Sequence, residues 1–183
     1  MTPSGSEALR IRPLLPEDAA AFGEFVAGIP EGDRTFFKED LLDPEEVDFL
    51  LAGRRGVRLA ALTPEGRIAG YGALLPGVGW SSHVGDLRLV VVPELRRRGI
   101  GRRLAQRLVA EALRLGMGKL VVEVVAEQQS AVLMFQDLGF EAEALLRDQV
   151  RDRAGRLHDL LVLAHPVADR SEELATLGLG GAA

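Results

Sequence analysis

Residues 89–104 read Leu-Val-Val-Val-Pro-Glu-Leu-Arg-Arg-Arg-Gly-Ile-Gly-Arg-Arg-Leu. Gly99 and Gly101 let the backbone come close to a ligand, and Arg96, Arg97, Arg98, Arg102 and Arg103 surround them with positive charge. An apolar strand before this turn and an amphipathic helix from Ile100 after it would aim unpaired amide N–H groups at one point. The positive end of the helix dipole falls on the same point. The result is an anion site held mainly by main chain, suited to a phosphate-bearing ligand. A P-loop is excluded, because no lysine and hydroxyl follow Gly101. A dinucleotide fingerprint is excluded too, since Leu104 stands where it needs a third glycine.

Proton chemistry has fewer candidates. Glu123 lies in Leu-Val-Val-Glu-Val-Val, an otherwise apolar stretch. A carboxylate there must be paired, solvated by a cleft, or kept neutral by desolvation. Its chemical use would be to accept a proton from an ammonium nucleophile through water. A structural ion pair to an arginine of the sheet is the equal alternative. Asp86, on the strand that leads to the turn, is the second candidate base. His83, His158 and Asp159 read as surface or structural groups. No His-Glu-x-x-His or comparable spacing points to a metal. With no cysteine there is no thiol nucleophile, disulfide or thiolate metal site.

The elements that must position these groups follow from the hydrophobic pattern. A short strand over 9–12 precedes a helix over 16–27, with Phe22, Phe25 and Val26 inward, and a loop over 28–33. A second helix starts at Asp43, with Pro44 at its first position and Glu46 completing a capping box, and ends near residue 53. Strands over 57–62 and 67–75 flank a tight Thr63-Pro64-Glu65-Gly66 turn. A strand over 83–92 enters the arginine turn, and the next helix carries Ile100, Leu104, Leu108, Ala112 and Leu115 on one face. A buried strand over 120–125, a short helix around 131–138 and two strands over 144–151 and 157–163 complete the series. Mixed α/β with one central sheet is the expected class.

The bulk properties set limits. A chain of 183 residues suits one domain, expected over 1–167, with a frayed tail over 168–183. A net charge of −5 argues against wholesale nucleic-acid binding, although 20 of the 22 basic residues are arginine. No apolar run approaches the roughly 18 residues of a membrane span, and the N-terminus lacks the regions of a signal peptide. A cytoplasmic location is therefore expected.

Three motifs acting together resemble the GNAT superfamily of acyl-CoA-dependent N-acetyltransferases. They are Val91-Val92-Pro93-Glu94-Leu95, Arg96-Arg97-Arg98-Gly99-Ile100-Gly101, and Gln128-x-x-Ala131-x-x-x-Phe135-x-x-x-Gly139-Phe140. The likeness spans about residues 85–165, and the first 55 residues match in layout alone. It implies an α/β fold with a mostly antiparallel central sheet flanked by helices, and acetyl-CoA (coenzyme A) as co-substrate with no metal. The pyrophosphate would lie on the turn amides of residues 98–103. The pantetheine arm would lie along the edge at Val90, Val91 and Val92, opened by a bulge in the fourth strand. A backbone N–H near Val91 would act as oxyanion donor, and Gln128, Ser130 and Phe135 would complete the cofactor contacts. Ribosomal-protein N-terminal acetyltransferases are similar in carrying a glutamate at the position of Glu123.

Two departures stand out. Phe135 replaces the tyrosine whose hydroxyl protonates the leaving thiolate, so Ser130 or solvent must supply that proton. Gln128 replaces an asparagine, and its amide survives on a longer arm. The implied reaction is direct attack by a primary amine in a ternary complex, since no cysteine can form an acyl-enzyme. A non-catalytic acyl-CoA-binding regulatory module is the alternative that Phe135 keeps open. The acceptor class stays open among a protein N-terminus or lysine, an amino acid, and a polyamine or aminoglycoside. Glu31, Asp33 and Glu39, near Phe36 and Phe37, either face a cationic amine or belong to a solvated loop. A homodimer is left open.

Overall fold

A computed structural model describes residues 9–34, 41, 43–52 and 56–167. The chain runs β1 (Arg10–Pro13), α1 (Ala19–Gly28), α2 (Glu31–Arg34), α3 (Pro44–Leu51), β2 (Val57–Leu62), β3 (Ile68–Pro76) and β4 (Val84–Val91). It continues with α4 (Ile100–Arg114), β5 (Lys119–Val125), α5 (Gln129–Asp137), β6 (Glu141–Arg151) and β7 (Leu157–Pro166). The seven strands form one sheet in the order β1-β2-β3-β4-β5-β7-β6. Every neighbouring pair is antiparallel except β4 and β5. That parallel pair needs a long crossover, and α4 supplies it.

Each face of the sheet carries its own core. Leu104, Ala105, Leu108 and Ala112 of α4 pack with Leu87, Leu120, Val122 and Val124 of the sheet and with Phe135 of α5. Gly72 makes this approach close, because a Cβ there would lie 2.9 Å from a Leu108 methyl. On the other face, Phe22, Phe25 and Val26 of α1 pack with Ala60, Leu62, Tyr71 and Ala73. The rings of Phe22 and Tyr71 meet edge-on at 5.2 Å, which makes the sole tyrosine a packing residue.

The structure corrects two local expectations. The segment expected as a loop over 28–33 holds a turn of helix, α2, in which the Asp33 and Arg34 N–H groups reach the Pro30 carbonyl at 2.9 and 3.0 Å. Gly28, Pro30 and Gly32 hide that turn in the sequence, while Glu31 and Asp33 favour a helix start. At α3, Asp43 caps by accepting from the Glu45 N–H at 3.0 Å rather than through a box with Glu46. The expected tail over 168–183 and residues Phe36, Phe37 and Glu39 lie outside the described residues.

Candidate active site

The central feature is where two strands part. The parallel ladder pairs Val84 with Lys119 and stops at Leu87 with Val122. Beyond it, β4 stays paired to β3 as far as Gly70 with Val91, and β5 stays paired to β7 as far as Val125 with Leu160. Each strand therefore has one satisfied edge and one open edge, and the open edges face each other. The expected bulge in the fourth strand is absent. The β3–β4 register is continuous from Pro76 with Gly85 to Gly70 with Val91, so the opening comes from divergence of β5.

Strand alternation assigns the groups that face this split. The Val92 N–H reaches the Ala69 carbonyl at 3.0 Å, and the Val84 carbonyl accepts from Gly77 at 2.8 Å. Even-numbered main chain of β4 is thus turned to β3, and Leu89 and Val91 are turned to the split. This corrects Val92, whose donor is consumed, and by the same alternation Val90, which pairs with Tyr71. On β5 the Ala126 N–H goes to Asp159 of β7 at 2.9 Å, so Glu123 and Val125 face the split. The Val125 carbonyl is taken by the Gln128 N–H at 2.8 Å.

The arginine turn sits at the end of the β4 lip. Gly99 adopts φ 79°, a left-handed conformation that costs any L side chain, and caps α4. The first intrahelical bond of α4 runs from the Arg103 N–H to the Gly99 carbonyl at 3.0 Å. The amides of Gly99, Ile100, Gly101 and Arg102 have no main-chain acceptor among the described residues. These donors stand at the start of a fifteen-residue helix, where free amides and the dipole favour an anion. Gly101 also serves packing: a Cβ there would stand 3.3 Å from Leu89 and 3.4 Å from Met134.

The arginines divide into two groups, and not as expected. Arg96 folds back, donating Nε to the Val91 carbonyl at 3.0 Å and pairing with Asp33 at 2.5 Å. Arg102 pairs with Asp137 at 2.7 Å, and Arg103 donates to the Leu9 carbonyl at 3.0 Å. Arg97 and Arg98 are exposed and pair with no carboxylate among the described residues. The mobile charge at the cradle is theirs.

The candidate bases lie on either side of the last rung. Asp86 lies on the zipped side of the split, beside Val121, and its Oδ2 accepts from Arg88 Nε and a terminal nitrogen at 3.0 and 2.9 Å. Glu123 lies one residue beyond the last rung and its side chain is exposed. It points to the α1 face of the sheet, opposite the Val122 and Val124 that pack under α4. Its exposure rules out the desolvated, neutral situation. Gln128 and Ser130 are exposed at the start of α5. Phe135 is 2% exposed, with its ring against Phe140 at 5.2 Å, so it sits in the core beneath the split.

The sequence gives no sign of the partners of His158, expected as a structural group. Its Nδ1 meets Glu127 Oε1 and its Nε2 meets Asp152 Oδ2, each at 3.1 Å. Hydrogen bonds donated to Asp152, then Glu127, hold the imidazole above its usual pKa, and the same contacts lower both carboxylates. Only the register of β7, which places His158 two positions before Leu160, reveals this cluster.

Among the described residues, no helix is long and apolar enough to cross a membrane. No group of three His, Asp or Glu residues among them is arranged for a metal.

Comparisons with known proteins agree with this architecture. The "[Ribosomal protein bS18]-alanine N-acetyltransferase" of Escherichia coli strain K12 is 30% identical over 80 residues, 44% of this chain and 53% of that protein. The "L-amino acid N-acyltransferase MnaT" of the same strain is 30% identical over 90 residues, 49% of this chain and 52% of that protein. The chain thus spans about half the length of the curated relatives it matches. A solved ribosomal-protein-alanine N-acetyltransferase from Brucella melitensis superposes with a TM-score of 0.75 at 25% identity, over 86% of this chain and 99% of that one. YncA of Salmonella typhimurium, "a putative acetyltransferase" solved with acetyl-CoA, shares the fold at a TM-score of 0.76 and 20% identity, over 90% and 96% of the two chains. The model of the acetyltransferase (GNAT) family matches residues 23–140, more than half of the sequence, and the chain belongs to that family.

Proposed function

We propose that this protein transfers an acetyl group from acetyl-CoA to a primary amine by direct attack in the split between β4 and β5. The observation that carries the reading is the ladder that stops at Leu87 and Val122, leaving two strand edges open below a helix start rich in free amides. Bound there, acetyl-CoA supplies an activated thioester and a thiolate leaving group.

The residues of the chain divide the remaining work. The amides of residues 99–102 hold the pyrophosphate, and Arg97 and Arg98 add charge-assisted contacts. Leu89 and Val91 offer an edge for an amide-bearing arm, as in strand addition. Arg96 occupies the Val91 carbonyl, which leaves the Val91 N–H as the donor for the oxyanion. A donor of that kind is worth about 2.7–4 kcal/mol in the transition state. Glu123, on the open side and exposed, takes the proton of the attacking ammonium through water. Asp86 is set aside as base because Arg88 holds it. With Phe135 buried, the thiolate takes its proton from Ser130 or solvent.

The printed names of the relatives both place the acylated amine on an amino acid, in a protein in one case. An α-amine of a peptide or amino acid is accordingly the acceptor class we favour over a polyamine or aminoglycoside. Thiol release from acetyl-CoA, measured with alanyl peptides, free L-amino acids, spermidine and kanamycin, tests both statements. Turnover should appear with the first two groups. Acetyl-CoA binding without turnover across the panel would instead make the protein an acyl-CoA-binding module.

A further inference from the structure

A chain of polar contacts leaves one lip of the split and returns to the other without passing through the sheet. It begins at the end of β4, where Arg96 holds the Val91 carbonyl and pairs with Asp33 of α2. On the same turn of α2, Glu31 pairs with Arg153 in the connection between β6 and β7 at 2.5 Å. Asp152, the neighbour of Arg153, meets His158, and His158 meets Glu127 at the end of β5. The faces agree. His158 lies on β7 at even register with Leu160 and Val162, and Val162 stands opposite Glu123. The contacts therefore cross the sheet face that carries Glu123.

We propose that His158 is the positioning residue that fastens the arch of α2 and the β6–β7 turn to the β5 lip, on the acceptor side of the split. The proposal rests on reading the split as the transferase site. It gives the arch the task of ordering the acceptor amine, without touching the reacting atoms.

The links are unequal. Glu31 and Arg153 are 61% and 60% exposed, so water and salt screen their attraction. His158 and Asp152 are 17% and 10% exposed, which makes theirs the least hydrated link of the ring. Asp152 is also fixed as part of its own turn, accepting from the Arg156 N–H and Nε at 2.9 Å each. An imidazole facing a carboxylate at both nitrogens donates to both only as the cation.

Four charged groups surround it and its partners, of which Asp152 and Glu127 raise its pKa. Asp152 and Glu127 accept from it, Arg156 shares Asp152, and Asp159 follows it on β7 with its Oδ1 on the Asp148 N–H at 2.9 Å. The imidazole pKa lies above its ordinary 6.5, with Asp152 the first cause. The fastening is thus complete below that value and is lost as pH rises through the raised one.

Amide hydrogen exchange of the full chain, read by mass spectrometry, tests this with His158→Gln and Glu127→Gln. At pH 6, exchange in residues 31–34 and 150–158 should be roughly fivefold faster in His158→Gln than in the wild type at the same pH. The ratio should fall to about one on the alkaline side, where the wild type has lost its own proton. His158→Arg, cationic throughout, should keep the protection that the wild type shows at pH 6 on the alkaline side as well. Glu127→Gln, which changes an exposed side chain, supplies the same comparison if His158→Gln does not fold. Kinetics with Ala-Ala-Ala should show KM raised by the same factor, with kcat unchanged. Equal exchange of residues 31–34 in all variants at pH 6, or a ratio that ignores pH, overturns the arch. Acetyl-CoA binding is measured alongside: its loss in the wild type would sink the transferase reading, and the exchange ratio would still judge the arch.

Discussion

The two sides of the split are made of different materials. The side proposed for the donor is main chain: amides of residues 99–102, the left-handed Gly99, and the open edge of Leu89 and Val91. The side proposed for the acceptor is side chain, with Glu31, Asp33, Arg96, Glu127, Asp152, Arg153 and His158 drawn from five separate stretches. Main-chain geometry answers to neighbours in sequence and resists most substitutions. Ion pairs across long sequence separations can be changed one residue at a time. The division suits a fixed donor and a variable acceptor.

The sharpest way to break that division is Glu123→Gln. It should cut kcat by about 10²-fold at neutral pH and flatten the rate's dependence on pH, as loss of a positioned base does. Acetyl-CoA affinity, measured by calorimetry, should not change. An unchanged pH profile removes Glu123 from the chemistry, and a weakened acetyl-CoA affinity would mean that the acceptor side also holds the donor.

Gly99→Val attacks the donor side through its main chain. At φ 79° a β-branched residue is strained, at a cost of about 1–2 kcal/mol, visible in urea unfolding. Nothing lies within 4 Å of a Cβ there, so the cost is conformational, with no clash. The shifted amides should also weaken acetyl-CoA by about tenfold or more, since each 1.4 kcal/mol is a factor of ten.

Next in size is the contrast among three neighbouring arginines. Arg97→Ala combined with Arg98→Ala should weaken acetyl-CoA about tenfold at low salt, and less as salt rises, as expected for charge-assisted phosphate contacts. Arg96→Ala should change that affinity by less than about twofold, because its guanidinium is committed to Val91 and Asp33. Equal losses from all three would return Arg96 to the phosphate site.

The same division decides what could be read in the sequence. The Val57–Leu62 strand, the α4 stripe of Ile100, Leu104, Leu108 and Ala112, and the turn at Gly99 are local patterns, and the sequence predicts each within a residue or two. The split is not local. It depends on β5 leaving β4 after Val122, and neither strand's own residues mark that point, so a bulge was expected instead. The roles of the arginines were hidden for the same reason. Arg96 and Arg98 look alike in sequence, and only the partners 63 residues away, at Asp33, and in β4, at Val91, separate them. His158 reads as a strand residue until the register of β7 brings Glu127 and Asp152 to its two nitrogens.

The smallest expected effect is the most discriminating for the acceptor side. Arg153→Ala removes a link whose partners are both more than half exposed, so its contribution to global stability is about 0–1 kcal/mol after solvent screening. Urea unfolding should barely move. Local opening is a different quantity, because α2 is a single turn of four residues with no buried side chain of its own. Hydrogen exchange in residues 31–34 should therefore quicken while that of α4 and of the amides at 99–102 stays unchanged. If exchange at the α4 start rises as well, the two sides of the split are mechanically one, and the contrast between a fixed donor and an adjustable acceptor fails.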